Sequence, residues 1–393
     1  MLDSKQLAII RATVPLLETG GEALTTHFYK ILLAEHPEVR PLFNQAHQAS
    51  GEQPRALANG VLAYARNIDR LQALAPLATQ IVNKHVSLQV QPEHYPIVGA
   101  CLLRAIREVL GPDTATDEVI AAWSAAYGQL ADMLIQAEAA AYEERAQAPG
   151  GWRGARPFVV DRKVAESAAI TSFYLRPADG GAVLAYQPGQ YLGLRLDVDG
   201  QEIRRNYSLS QAPNGSQYRI SVKREPGGVA SNFLHDRVNE GDTVDVFPPA
   251  GEFVLQAGER PLALISGGVG ITPVLAMLEA ALQAGVRPIH FIHYARSCAV
   301  HAFRDHVDQL AARHPQLHHF VCYEDATDAL RKPDDVGLAH IDQLRRWLPS
   351  PPDVDAYFVG PKGFMRYMKK TLDILGVPAA QSRYEFFGPA SAL

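Results

Sequence analysis

Cysteine is scarce in this chain of 393 residues: Cys101, Cys298 and Cys322 stand far apart. So few thiols exclude a disulfide framework, a cysteine-based zinc site and an iron–sulfur cluster, and they suit a reducing compartment. A basic face is lacking too. Lysine and arginine number 37 against 42 acidic residues, for a formal charge of −5, and no Lys/Arg cluster is long enough to follow a phosphate backbone. Nucleic acid is therefore not an expected partner. The longest uncharged run, from Pro261 to Leu278, is broken by Ser266, Gly267, Gly268, Gly270, Thr272 and Pro273. That composition fits a strand, a turn and a helix better than a transmembrane segment. The opening MLDSKQLAII carries Asp3 and an apolar stretch too short for a signal peptide, so the cytoplasm is the expected location. Low-complexity tracts and internal repeats are absent as well, which excludes a disordered tail and an array.

What remains is the composition of ordinary globular cores, 47% hydrophobic and 20% charged, at a length that predicts two or three domains. Three styles of sequence follow one another. Residues 1–147 keep helical spacing, as in Leu7, Ile10, Val14 and Leu17, and again in Trp123, Tyr127, Leu130 and Leu134. Pro149-Gly150-Gly151-Trp152 ends that pattern. Residues 152–258 then carry short alternating runs (ITSFYL, GQYLGLRL, YRISVK), with Asn214-Gly215 as a hairpin signal and one helix expected from Ser231 to Val238. A β-barrel or sandwich is the expected reading. In residues 259–393 the buried-type strands PLALIS, IHFIHYA, HHFVCYE and DAYFVG alternate with helical stretches, which predicts a parallel sheet with helices on its faces.

The sharpest local chemistry lies in this last segment. Strand PLALIS runs into Gly267-Gly268-Val269-Gly270-Ile271-Thr272-Pro273 and then a helix, so backbone N–H groups at the helix start can cradle a pyrophosphate. A ligand-free tight turn would also fit, and Pro273 departs from the dinucleotide fingerprint. Gly360-Pro361 adds a second loop at a strand's carboxyl end, where open α/β sheets bind ligands. In the β-rich segment Arg205-Asn206-Tyr207-Ser208 follows a strand, and alternation puts Arg205 and Tyr207 on one face. A guanidinium fork and an aromatic plane suit a phosphorylated ring cofactor, although a solvated arginine beside a half-buried tyrosine would look the same. Gly227-Gly228 precedes Ser231, which is expected to cap the following helix and offer another anion site.

Histidine is the one candidate metal ligand of the helical segment. His85 shares a stripe with Leu77, Ile81 and Leu88, which would aim its imidazole into an apolar interior; His27 competes, with Leu24 and Ile31 at neighbouring helical positions. Spacing alone leaves both open, and a core histidine with no metal remains a third reading. Tyr95 lies on the stripe of Val98, Leu102 and Ile106, and Glu138 continues that of Trp123 to Leu134. An inward carboxylate needs a partner, and metal-ligating histidines donate their second N–H to such a group, so Glu138, Tyr95 and His85 would form a sensible network. A frayed helix end would equally place Glu138 in water. Tyr29 follows Phe28, and Gln53 precedes Leu57 by one turn on the stripe of Val61, Tyr64 and Ile68; both could donate hydrogen bonds into an apolar pocket.

Phe28-Tyr29, Pro37, Phe43, Gln53, Leu57, His85, Tyr95 and Glu138 are followed by RNYS, the Gly-Gly turn with Ser231, GVGITP, VGPKGFM and a closing Tyr384-Glu385-Phe386-Phe387-Gly388-Pro389. This order resembles the flavohaemoglobins of bacteria and yeast over nearly the whole chain. The resemblance implies a multi-domain protein, α then α/β: an all-α globin followed by a ferredoxin-reductase-like module. That module comprises an antiparallel β-barrel FAD domain and a parallel α/β nicotinamide-binding domain. It implies non-covalent haem b with His85 as the proximal iron ligand, oriented by Tyr95 and Glu138, and with Tyr29, Gln53 and Leu57 around bound dioxygen. FAD would meet Tyr191, Arg205, Asn206, Tyr207, Ser208, Gly228 and Ser231, with Glu385, Phe386, Phe387, Gly388 and Pro389 closing the site. NADH or NADPH would lie on Gly268, Val269, Gly270, Ile271, Thr272 and Pro273. Val359 and Phe386 stand where the family often has a cysteine or other small residue. The activity implied is nitric oxide dioxygenase: NAD(P)H reduces FAD, FAD reduces haem, and ferrous haem with dioxygen converts nitric oxide to nitrate. A monomer is expected, with no obligate protein partner. A reductase or oxidase with another acceptor, or an oxygen-binding sensor, remain the alternatives.

Overall fold

The computed structural model describes residues 2–43, 51–285, 287–327, 329, 331–349 and 353–387. The chain divides into two compact units, the first running to Gln147 and the second beginning at Ala148. Among the described residues no helix is long and apolar enough to cross a membrane.

The first unit is helical: α1 (Ser4–Glu35), α2 (Glu52–Arg66), α3 (Ala75–Leu88), α4 (His94–Leu110) and α5 (Asp117–Gln147), with 3₁₀ turns at Pro37–Leu42 and Leu71–Leu74. Asp3 starts α1 through a capping box, its carboxylate accepting from the Gln6 N–H at 2.8 Å while the Gln6 side chain accepts from the Asp3 N–H at 3.0 Å. The apolar stripes read from the sequence then meet. Ile10, Leu17, Leu24, Phe28 and Leu32 of α1 pack with Tyr64 and Ala65 of α2, Leu102 and Ile106 of α4, and Trp123 and Ala126 of α5. Thr25 ties α1 to the start of α2 by donating to the Pro54 carbonyl at 2.8 Å.

The second unit holds two sheets. The first is antiparallel, in the order β4-β3-β6-β1-β2-β5, from β1 (Arg156–Ala165), β2 (Ile170–Pro177), β3 (Tyr191–Val198), β4 (Gln201–Ser208), β5 (Tyr218–Lys223) and β6 (Thr243–Val246). Its two edges meet just past β4, where Leu209 bridges Ile220 and the Ser210 N–H donates to the Arg219 carbonyl at 2.8 Å. That contact closes the sheet into a barrel and removes the exposed edges. Asn214 shapes the connecting turn, its side-chain oxygen accepting from the N–H groups of Ser216 and Gln217. Arg205-Asn206-Tyr207-Ser208 forms the second half of β4 rather than following a strand, because the ladder extends beyond the point where the charged alternation suggests an end. The helix of this sheet, α6 (Val229–Arg237), starts two residues before Ser231.

The second sheet is wholly parallel, in the order β10-β9-β8-β7-β11-β12, built from β7 (Leu262–Gly267), β8 (Ile289–Ala295), β9 (Leu317–Tyr323), β10 (Asp335–Val336), β11 (Asp355–Val359) and β12 (Ser382–Tyr384). Period-two alternation divides the strand residues between two cores. Leu262, Leu264, Ile289, Phe291, Tyr357 and Val359 pack under α7 (Ile271–Ala284) and α8 (Arg304–Arg313). Ala263, Ile265, Ile292, Tyr294, Ala356 and Phe358 pack under α9 (Ile341–Trp347) and α10 (Lys362–Ile374). Both faces are covered, which is why these strands read as continuous apolar runs.

Buried polar groups interrupt that apolar sheet, among them Ser266 of β7, His293 of β8 and Asp355 of β11. His293 of β8 is 1% exposed, its Nδ1 lies 2.8 Å from the Ser266 hydroxyl, and its ring lies 4.4 Å from that of His301. Burial pushes its imidazolium from the usual 6.5 down to about 3. The unfolded chain therefore binds a proton over that interval that the folded chain refuses, and stability present above pH 6.5 is lost on acidification. Between pH 7 and 5 the wild type should lose ~2 kcal/mol more unfolding free energy than His293→Gln, read by urea titration at each pH. Equal losses in the two proteins would refute this account of His293.

Candidate functional site

In the helical unit α3, α4 and α5 converge on one carboxylate. Glu138 is 2% exposed, and its Oε1 accepts from the Tyr95 hydroxyl at 2.6 Å and lies 2.7 Å from His85 Nδ1. Tyr95 OH is itself 3.2 Å from that nitrogen. Glu138 thus lies at the inner end of a packed stripe, not at a frayed terminus. Burial, and then the neighbouring carboxylate, push the Tyr95 hydroxyl far above its ordinary range, so it stays a donor. Tyr95 is positioned in turn by Tyr127, whose hydroxyl donates to the Tyr95 carbonyl at 2.6 Å. With Nδ1–H committed to the carboxylate, the His85 lone pair falls on Nε2, which makes no hydrogen bond among the described residues. An imidazole oriented by a buried carboxylate is the donor set that a haem iron requires, so the residues fit that group. His27 is disposed of by geometry. Its Nε2 lies 2.6 Å from Glu108 Oε2 in a partly exposed side-chain contact.

Tyr29, Gln53 and Leu57 also come together. Tyr29 is buried with its ring edge-on to Phe28 and Phe43 at 4.8 and 5.5 Å. Burial raises its hydroxyl far above the ordinary range, a shift that a hydrogen bond from Gln53 only partly offsets. Leu57, one turn along α2, packs on the same core. The arrangement can offer a phenolic hydrogen bond inside an apolar pocket.

In the barrel, Arg205 and Tyr207 share a face of β4 and interact electrostatically. Burial raises the Tyr207 phenol, and burial lowers the Arg205 guanidinium, so each is held where a flat, charged ligand would replace lost water. Tyr191 and Ser208 are buried nearby in sequence, at the start of β3 and the end of β4. Ser231 is not the helix cap. Gly228 takes that position in extended conformation, and the Ser231 hydroxyl accepts from the Glu225 N–H at 3.1 Å and donates to the Gly228 carbonyl at 3.3 Å. A Cβ on Gly228 would lie 2.6 Å from that hydroxyl, so the turn is closed around glycine at the N-terminus of α6. An arginine, an aromatic plane and a helix N-terminus are suited to a flavin dinucleotide.

The parallel sheet places two loops side by side, since β7 and β11 are neighbours and the strand order reverses there. Gly268–Gly270 forms a 3₁₀ turn leading into α7, and a Cβ on Gly270 would overlap the carbonyl oxygen of Val359 at the end of β11. Only glycine lets the backbone approach so closely. Val269 and Ile271 complete the turn, and the Thr272 hydroxyl donates back to the Val269 carbonyl at 3.0 Å. Pro273 departs from the fingerprint without penalty, because it occupies the first turn of α7, where an N–H has no helical acceptor to lose. The crevice outside the carboxyl ends of β7 and β11 is the switch point at which such sheets bind nucleotides.

Past β12, Glu385 is half-buried, Phe386 packs under α10 with the Lys362 ammonium 5.6 Å from its ring centre, and Phe387 is 41% exposed. Gly388 and Pro389 lie outside the described residues. Two supporting residues escape the motif reading. Tyr127 is legible only as core, and Glu279 of α7 only as a polar position on an apolar helix. Glu279 accepts from the Ala212 N–H at 2.7 Å and pairs with Arg219 of β5 and His306 of α8, joining barrel and sheet. Burial alone would raise its carboxyl, yet His306, Arg219 and the Ala212 N–H outweigh it and hold it below the usual range.

Known proteins agree with these three parts. Residues 26–134 match the Globin family, residues 157–255 the Oxidoreductase FAD-binding domain, and residues 264–370 the Oxidoreductase NAD-binding domain. A flavohemoprotein of Burkholderia sp. (strain TH2) is 66% identical over the full length of both chains. The crystal structure of flavohemoglobin from Malassezia yamatoensis with bound FAD and heme superposes with a TM-score of 0.86 at 28% identity, covering 98% of this chain and all of that one. The flavohem-like FAD/NAD binding domain of nitric oxide dioxygenase from Vibrio cholerae matches at 43% identity with a TM-score of 0.56, covering 60% of this chain and all of that one. The chain belongs to the flavohemoprotein family, an oxidoreductase in which an all-α globin precedes a ferredoxin-reductase-like pair of FAD and NAD domains.

Proposed function

We propose that this chain is an NAD(P)H-driven nitric oxide dioxygenase, acting as a cytoplasmic monomer. The observation that carries the reading is the buried Glu138 carboxylate, bonded to His85 and Tyr95, which leaves His85 Nε2 as a basic ligand for haem b. The name of the Vibrio cholerae neighbour supports it at the level of activity.

When bound, the nicotinamide supplies a hydride, the flavin divides its electron pair into single electrons, and the haem iron is where nitric oxide, dioxygen and one electron combine to nitrate. Around those groups each residue has a task. Glu138 draws the Nδ1 proton of His85 toward itself, which strengthens Nε2 as a donor, and Tyr95 fixes the carboxylate so that the ring cannot rotate away. Tyr29, kept protonated by burial, donates a hydrogen bond into the pocket, Gln53 orients that hydroxyl, and Leu57 keeps the pocket apolar enough for two uncharged gases. Arg205 and the N–H groups beside Gly228 and Ser231 would hold the phosphates of FAD, and Tyr191, Asn206, Tyr207, Ser208, Glu385, Phe386 and Phe387 would line its rings. The backbone of residues 268–273 would seat the pyridine nucleotide, in the same compact unit as Arg205 and Tyr207.

Two outcomes check this. His85→Ala should lose the Soret band after haem reconstitution, whereas His27→Ala should keep it, because His27 is committed to Glu108. Glu138→Gln should keep haem but lower the iron–histidine stretching frequency in resonance Raman spectra, since a neutral amide withdraws less proton density. Retention of the spectrum by His85→Ala would remove the ligand assignment.

Nitric oxide consumption in air with NADH should yield nitrate, and Tyr29→Phe should speed dioxygen release from the reduced protein by about 10- to 100-fold, the worth of one charge-assisted hydrogen bond. Stopped-flow release rates and a nitric oxide electrode measure both. Consumption no faster than in a flavin-depleted control would leave a reductase with another acceptor in place of the dioxygenase.

A further inference from the structure

Helix α3 ends three residues beyond His85, and its last turn is closed in a way that involves that residue directly. Gln89 stands in the left-handed region (φ 59, ψ 47), a conformation that a helix C-terminus normally gives to glycine. The Val90 N–H then donates back to the His85 carbonyl at 2.9 Å, and the Gln89 N–H donates to the Val86 carbonyl at 3.1 Å. The Gln89 side-chain amide donates to that same Val86 carbonyl at 2.8 Å. Crowding of a Cβ against the backbone disfavours this conformation, so such a turn persists where its surroundings hold it.

The hold comes from α5. The Tyr142 hydroxyl donates to the Val90 carbonyl at 2.8 Å. Tyr142 lies one helical turn past Glu138 and therefore on the same face of α5. Arg145, two turns past Glu138, donates to the Asn83 side chain at 3.1 Å. One stripe of α5 thus grips the end of α3 at three places: the His85 ring through Glu138, the closing turn through Tyr142, and Asn83 through Arg145. Burial, and then the Glu138 carboxylate, push the Tyr142 phenol far above its ordinary range, so it stays a donor. A tyrosine that merely satisfies its own hydroxyl would make a similar bond, as Tyr64 does with the Ala126 carbonyl at 2.8 Å. Tyr142 differs in its acceptor, which belongs to the residue whose N–H closes the turn on the His85 carbonyl.

We propose that Tyr142 is a positioning residue for His85, holding the backbone that presents the imidazole while Glu138 holds the ring. The proposal rests on the reading of His85 as the haem ligand. With the Glu138 contact alone, the imidazole could pivot about the carboxylate oxygen. With the turn held as well, the direction of the Nε2 lone pair is set at both ends.

Resonance Raman spectra and amide hydrogen exchange on the haem- and flavin-loaded protein test this without turnover. Tyr142→Phe should keep the Soret band, speed exchange of the Val90 N–H by at least fivefold, and broaden the iron–histidine stretching band while moving it to lower frequency. Tyr64→Phe breaks a hydroxyl-to-carbonyl bond of the same kind elsewhere on α5, and should leave both the band and the Val90 exchange as in the wild type. A band in Tyr142→Phe that coincides with the wild-type band would overturn the positioning role, whether or not Val90 exchange rises. A shifted band with unchanged Val90 exchange would overturn it too, since the effect would not pass through the turn. An equal shift in Tyr64→Phe would mark general loosening and defeat the proposal. Retention of the Soret band by His85→Ala would instead remove the ligand reading, and the role of Tyr142 with it.

Discussion

A carboxylate with almost no solvent contact is the constraint around which the helical unit is organised. Taking Glu138 out of water costs several kcal/mol unless its oxygens are met by donors in good geometry. Tyr95 and His85 supply those donors from two other helices, so the burial of one residue fixes the relative register of α3, α4 and α5. Tyr127 extends the same logic by one step, since its hydroxyl holds the Tyr95 carbonyl from the helix that carries Glu138. Function and fold are then hard to separate. The bonds that make the carboxylate tolerable are the bonds that decide which nitrogen of His85 carries its lone pair.

The reductase unit solves a related problem at the join of its two sheets. Glu279 sits on the apolar helix α7 and is satisfied by a backbone N–H, an arginine of β5 and a histidine of α8. Three elements from barrel and parallel sheet are thereby tied at one point. α7 also begins at the nucleotide loop, so a displacement of Glu279 would be felt along a rigid helix at residues 268–270. Backbone closeness does the rest. Gly270 sits against Val359 with no room for a side chain, which joins the two loops of the crevice without any specific side-chain contact.

Legibility in the sequence followed the physics of each feature. Helical and alternating periodicities report burial directly, so the strand runs from ITSFYL to DAYFVG and the stripes of α1 and α5 stand close to where they are expected. β1 was not visible, because Arg156, Asp161, Arg162 and Lys163 interrupt its apolar face and a bulge between Val160 and Arg162 shifts the alternation. Strand β4 extended through Arg205 and Ser208 for a similar reason: barrel closure supplies partners that local polarity does not advertise. Ser231 looked like a cap because serine usually is one, but a glycine in extended conformation took the position and the hydroxyl turned back to close the preceding turn. For His85 the spacing was mute. What separates it from His27 is the partner each one finds across the fold, a buried carboxylate in one case and a surface glutamate in the other, and no single helix carries that information.

The charges at the candidate ligand sites also differ in sign from module to module, and the difference follows the ligands. Where the fold would meet a metal cation, the committed charge is an anion, Glu138, acting through a neutral imidazole. Where it would meet the phosphates of a flavin dinucleotide, the committed charge is a cation, Arg205, which burial destabilises on its own and an anion would relieve. At the Gly268–Gly270 loop there is no committed charge, only glycine backbone and the positive end of α7, which would suit a diphosphate but would not distinguish one nucleotide from another. Discrimination between nucleotides must then come from outside the loop.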